Sequence, residues 1–195
     1  MKCVNHEAVI DSIMEQYEKA CMDMSVVYGP YSVGKTYIAK ELQNRLTSNH
    51  VVYLLGRLAN ESVHIRSIER GLDMPSGSFR TLEEALRRVF QMSVDNHMMF
   101  IIDDYPALVD TAPQVPILLR ELMETYQDYG KMFVLLMGTH VDELKGRILG
   151  ESSLIAPYIH SHFKVEPFTL DDVRALGWNY TDEDLAKLYH VTGGM

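Results

Sequence analysis

"YGPYSVGKTY", residues 28–37, decides the fold. It follows the apolar run Met24-Ser25-Val26-Val27-Tyr28 and leads into Ile38-Ala39-Lys40-Glu41-Leu42, so it joins a strand to a helix. Gly29, Gly34, Lys35 and Thr36 fit G-x-x-x-x-G-K-[ST], with Pro30, Tyr31, Ser32 and Val33 between the glycines. Such glycines let successive backbone N–H groups converge on a phosphate, and the following helix adds its positive N-terminus. In a loop of this kind Lys35 reaches the β/γ oxygens and the Thr36 hydroxyl ligates Mg²⁺. A chance match would not supply the flanking strand and helix, so residues 29–36 are read as a phosphate loop.

Two later apolar runs end in polar residues. "MMFIIDDYPAL", residues 98–108, places Asp103 at the end of the strand next to the phosphate loop, where a carboxylate would hold the water shell of Mg²⁺, the alternative being a buried strand whose end simply meets solvent. Asp104 would then face the attacking water as general base or water orienter, a solvated loop acid being the plainer reading. "MFVLLMGTH", residues 132–140, ends in Thr139 and His140. Thr139 is placed to sense a γ-phosphate, because strand ends converge on the ligand crevice; a simple Gly-Thr turn is the alternative.

The rest of the chain alternates in the same way. Strands are expected at Ser25–Tyr28, Val51–Leu55, Met98–Ile102, Met132–Met137 and Phe163–Val165. Helices are expected at Glu7–Cys21 (capped by Asn5), Lys35–Leu46, Ser62–Gly71, Leu82–Ser93, Val115–Tyr129, Asp142–Leu149, Leu170–Leu176 and Asp182–His190. Thr81-Leu82-Glu83-Glu84 reads as a capping box. Short apolar strands separated by amphipathic helices imply a sheet covered on both faces. The expected fold is α/β, a three-layer αβα sandwich of the P-loop NTPase kind around a mainly parallel five-stranded sheet. Residues 1–168 would form its core, and residues 169–195 the start of a C-terminal helical lid.

Composition narrows the function classes. The 195 residues are 47% apolar and 23% charged, ordinary for a globular domain. Acids outnumber bases, 27 to 18, for a net charge of −9, and Arg87-Arg88 is the densest basic pair. Direct nucleic-acid binding is therefore not expected of this chain. No apolar run reaches the ~20 residues of a membrane span. Cys3 and Cys21 form no metal-spaced pair and the N-terminus is not a signal peptide, so a cytoplasmic location is expected. His160 and His162 lack a matching ligand set and carry no metal assignment. The twelve methionines read as adaptable core filling, and Trp178 as a cover for a core edge.

With these segments in view, the chain resembles the archaeal-type ATPase family, within the AAA+/STAND branch of P-loop ATPases. Cys3-Val4-Asn5-His6-Glu7 resembles that family's opening signature, and Val26-Val27-Tyr28-Gly29 the strand before its phosphate loop. Asp103-Asp104-Tyr105-Pro106 resembles its metal-binding strand end, and Gly138-Thr139 the turn after its sensor strand. Ile155–His160, Val165-Glu166-Pro167-Phe168 and Thr192-Gly193-Gly194-Met195 look like its later elements. The resemblance implies binding of Mg²⁺ with ATP or ADP, slow hydrolysis, and a nucleotide state that regulates an unidentified protein partner. Family members continue into a helical or winged-helix region, so a truncated piece or a natural short form is expected.

The departures bear on turnover. Family loops carry arginines where Pro30, Tyr31 and Ser32 stand, and His6 and His160 replace two further arginines. Asp104 occupies a glutamate position, and a displacement of about 1 Å costs on the order of a hundredfold in rate. Neutral histidine does not match the bidentate charge stabilisation of arginine. Alternatives to a slow ATPase are a non-hydrolysing nucleotide-binding module and a small-molecule P-loop kinase. The kinase would have only Arg147 and Arg174 as lid arginines. A DNA-associated ATPase acting through a further C-terminal part is another alternative.

Overall fold

Strands inside the sheet are buried along nearly their whole length, and the two edge strands are only partly covered. In the computed structural model, which describes residues 4–46, 50–57, 59–139, 148, 150, 153–175 and 180–193, β3 (Met98–Asp103) and β4 (Met132–Gly138) are buried at every position. β1 (Asp23–Tyr28) is buried at all but its last residue. β2 (Val51–Leu55) and β5 (Ile159–Lys164) alternate between more and less buried residues. The strand order is β2-β3-β4-β1-β5, and every pairing is parallel. This pattern is what a sheet covered on both faces requires, since only edge strands meet water.

Helices cover both faces. α1 (Val4–Tyr17) and α2 (Lys35–Arg45) pack Ile10, Ile13, Ile38 and Leu42 against Val27, Ile101, Phe133 and Leu135. On the other face lie α3 (Glu61–Gly71), α4 (Leu82–Met92), α5 (Tyr105–Thr111) and α6 (Val115–Tyr126), over Val26, Phe100, Val134 and Leu136. Alternate residues of one strand thus feed opposite cores, the period of two that strands impose. Met98, Met99, Met132 and Met137 are all buried there, as core filling. Beyond the sheet come α7 (Leu170–Ala175) and α8 (Asp182–Thr192), each with a single buried apolar residue among those described, Val173 and Leu185.

Several expectations are corrected. α1 begins at Val4, so Asn5 lies inside its first turn, and it ends at Tyr17, ahead of Ala20 with its positive φ of 50°. α5, a helix of seven residues with proline in its first turn, is absent from the sequence-based expectations. β5 spans Ile159–Lys164 instead of Phe163–Val165. The strand ending in Asp103 is not the neighbour of the phosphate-loop strand, because β4 lies between β1 and β3. The expected helix at Asp142–Leu149, together with Cys3, His140, Arg147, Trp178, Gly194 and Met195, involves positions outside the described residues.

Candidate nucleotide site at the carboxyl end of the sheet

β1 ends at Tyr28, and the six residues Gly29–Gly34 turn the chain into α2, whose first residue is Lys35. Ser32 (φ 60°) and Gly34 (φ 96°) both have left-handed backbone, the conformation from which anion-binding turns of successive N–H groups are built. Gly34 admits no side chain, since a Cβ there would lie 2.4 Å from Cε1 of His6. Val33 is buried in the core beside Val165 and anchors the loop from below. Tyr31, 79% exposed, stands at the rim.

A cleft of about 450 Å³ opens above the loop. It is lined by Tyr31, Ser32, Gly34, Lys35 and Thr36 from the loop and α2, and by Leu55, Asp103, Asp104, Gly138 and Thr139 from three strand ends. Gly29 and Pro30 do not line it; their carbonyls accept hydrogen bonds from Lys35 Nζ at 3.0 and 2.6 Å. Lys35 is only 8% exposed. Burial holds its pKa below the ordinary lysine value, and the charges of Asp103 and Asp104 pull the other way.

The two acids differ in setting. Asp103 is 5% exposed, and its Oδ2 accepts hydrogen bonds from Thr36 Oγ1 at 2.8 Å and from Tyr53 OH at 2.9 Å. Burial first, then the Asp103 charge, drives the Tyr53 phenol well above its usual pKa, so it stays a donor. Asp104 is half-buried and left-handed (φ 59°, ψ 49°) at the start of α5. Such backbone costs an L-residue about 1 kcal/mol, a cost that helix α5 and strand β3 on either side must hold. Gly56 meets this turn from β2, its N–H donating to the Asp103 carbonyl at 2.6 Å.

The donor set suits a hard cation. Thr36 and Asp103 offer oxygen ligands in mutual contact, while among the described residues no three His, Cys, Asp or Glu side chains group as a metal cage. Mg²⁺ is ordinarily held in this way, by one or two side chains with phosphate oxygens and water completing the octahedron.

Every site residue expected from sequence falls in or under this cleft. Tyr53 and Gly56 were missed; the one available signal for Tyr53 is a polar tip inside the otherwise apolar run Val51–Leu55. His6 packs on the ring of Phe168 (centroids 4.8 Å apart) and near Tyr37 (5.8 Å), directly behind Gly34. Burial lowers its pKa, with the Val33 backbone and Asp172 opposing. His160 is elsewhere. It bonds Asp23 Oδ1 through Nδ1 at 2.7 Å, at the amino end of β1 and β5, the end of the sheet opposite the cleft.

Comparison with known proteins bears on the family and the fold. Residues 25–157 match the model of the ATPase family associated with various cellular activities (AAA). An uncharacterised protein of Methanocaldococcus jannaschii, MJECL04, is 21% identical over 193 residues, covering 98% of this chain and 42% of its own length. The ORC2 protein of Aeropyrum pernix, solved in ADPNP–ADP complexes, superposes with a TM-score of 0.65 at 16% identity, over 93% of this chain and 50% of that one. A Walker-type ATPase of Pyrococcus abyssi gives 0.66 at 13% identity, over 93% of this chain and 61% of that one. Cdc6p of Pyrobaculum aerophilum gives 0.63 at 18% identity, over 96% and 50%. The chain thus spans less than two thirds of each of these relatives. It belongs to the AAA family of ATPases.

Proposed function

We propose that this chain binds Mg²⁺ with ATP, hydrolyses it slowly, and uses its nucleotide state to regulate a protein partner or another part of a longer protein. The observation that carries the reading is the Thr36–Asp103 hydrogen bond, which joins the phosphate loop to an acid 67 residues away at the mouth of one cleft. In this reading the amides of residues 29–36 and Lys35 hold the phosphates, and Thr36 and Asp103 hold Mg²⁺. Asp104 orients the attacking water, and Thr139 contacts the γ-phosphate. The metal, when bound, neutralises phosphate charge.

Slow turnover follows from the charge inventory. Among the described residues that line the cleft, Lys35 is the one cation, so these residues by themselves offer little to match the charge spread over the transferring phosphoryl group. The same observation favours a second reading, a binding switch that turns over only when a partner supplies a cation. The net charge of −9 argues against direct contact with nucleic acid, although another structural neighbour, ORC1 of Aeropyrum pernix, was solved in complex with DNA.

Single-turnover cleavage of radiolabelled ATP by excess protein and Mg²⁺, beside Asp104→Asn, tests the reading. Wild type is expected to cleave, and Asp104→Asn to bind ATP but cleave at least about a hundredfold more slowly. Bound but uncleaved ATP in the wild type would select the switch; no binding would overturn both.

A further inference from the structure

We propose that Tyr53, on strand β2, is a positioning residue for the Mg²⁺ site, fixing the Asp103 carboxylate through a hydroxyl that does not line the cleft itself. The inference rests on the functional reading above.

Asp103 Oδ2 is held from two directions. Thr36 reaches it from the first turn of α2, and Tyr53 from the edge strand β2. The register Tyr53↔Ile101 and Leu55↔Asp103 puts Tyr53 two residues short of the acid on the same face of the sheet, so its ring runs along that face toward Asp103. A carboxylate turns easily about its terminal torsion. Two O–H donors converging on one oxygen remove that freedom, and both are charge-assisted. Thr36 alone would leave the acid pinned only by the side chain that shares the metal with it.

Packing does not ask for the hydroxyl. The Tyr53 ring lies against the core formed by Ile101, Ile38 and Leu42, where phenylalanine would serve equally. The half-buried phenol donates to an acceptor, and that acceptor is the acid read as the metal ligand. Groups that orient metal ligands from behind ordinarily matter tenfold or more for metal affinity.

The test is calorimetry of MgCl₂ titrated into the ADP-saturated chain, with ADP binding in EDTA measured in parallel. Tyr53→Phe is expected to weaken Mg²⁺ about tenfold while ADP affinity in EDTA and the unfolding midpoint stay at wild-type values. In an Asp103→Ala background the Tyr53→Phe change should have no effect on Mg²⁺. Unchanged Mg²⁺ affinity in Tyr53→Phe overturns the proposal, and so does an equal loss of ADP binding with and without Mg²⁺, which marks a merely structural role. Failure of the wild type to bind ADP at all would instead remove the functional reading, and this inference with it.

Discussion

A Cβ added at Gly56 would sit 2.5 Å from the Asp104 carbonyl oxygen and 2.7 Å from Cβ of Leu108. Neither is the loose end of a flexible side chain, so Gly56→Ala must displace the turn at Asp104, which the proposed function has orienting water. The expected cost is about 1–3 kcal/mol in stability, read by urea unfolding. Single-turnover hydrolysis should fall more than tenfold, with Mg²⁺–ADP affinity changed far less. A wild-type rate in a stable variant would show that the turn adapts. Lys35, Thr36 and Asp103 were legible because their pattern is local: a loop between a strand and a helix, and an acid ending an apolar run. Gly56 and Tyr53 were not, since each matters only through the pairing of β2 with β3, which no local spacing encodes. For the same reason the place of His160, at the amino end of β1 and β5, was not legible.

Among the elements, α4 shows how a local signal becomes structure. Thr81 Oγ1 accepts from the Glu84 N–H at 3.1 Å, as the expected capping box requires. The return bond is shifted by one residue, Glu84 Oε2 accepting from the Arg80 N–H at 2.7 Å. Thr81→Ala should lower stability by about 1 kcal/mol in urea unfolding and leave nucleotide binding unchanged; no loss would mean the Glu84 bond suffices. Where such signals are weak, the elements were missed. α5 is too short to show a helical period, and its first residues look like a strand end and a turn. β5 hides behind His160, Ser161 and His162, polar residues tolerated because the strand lies at the sheet edge. The central strands were legible for the opposite reason: burial on both faces demands the unbroken apolar runs seen in β3 and β4.

For the whole molecule, buried histidines set a response to acid. His6 and His64 are buried, His97 is half-buried, and burial is the main cause of a lowered pKa in all three. The unfolded chain therefore binds more protons as the pH falls through the ordinary histidine value of about 6.5. Stability from this source is complete above that value and is lost as the pH drops toward the depressed folded values. The unfolding free energy from urea titrations should fall as the pH is taken from about 7.5 to about 5.5, with a steepest slope of about 1.4 kcal/mol per pH unit for each such group. A free energy that stays flat would count against it. The strand order has a different consequence, one in time. Both hydrogen-bonding neighbours of β1 arrive late in the chain, β4 at residue 132 and β5 at residue 159. At ordinary rates of synthesis β1 emerges from the ribosome and waits on the order of ten seconds for a partner. Pairing at such sequence separation is also intrinsically slow. The segment bearing Lys35 is thus made well before the strands that hold it in place.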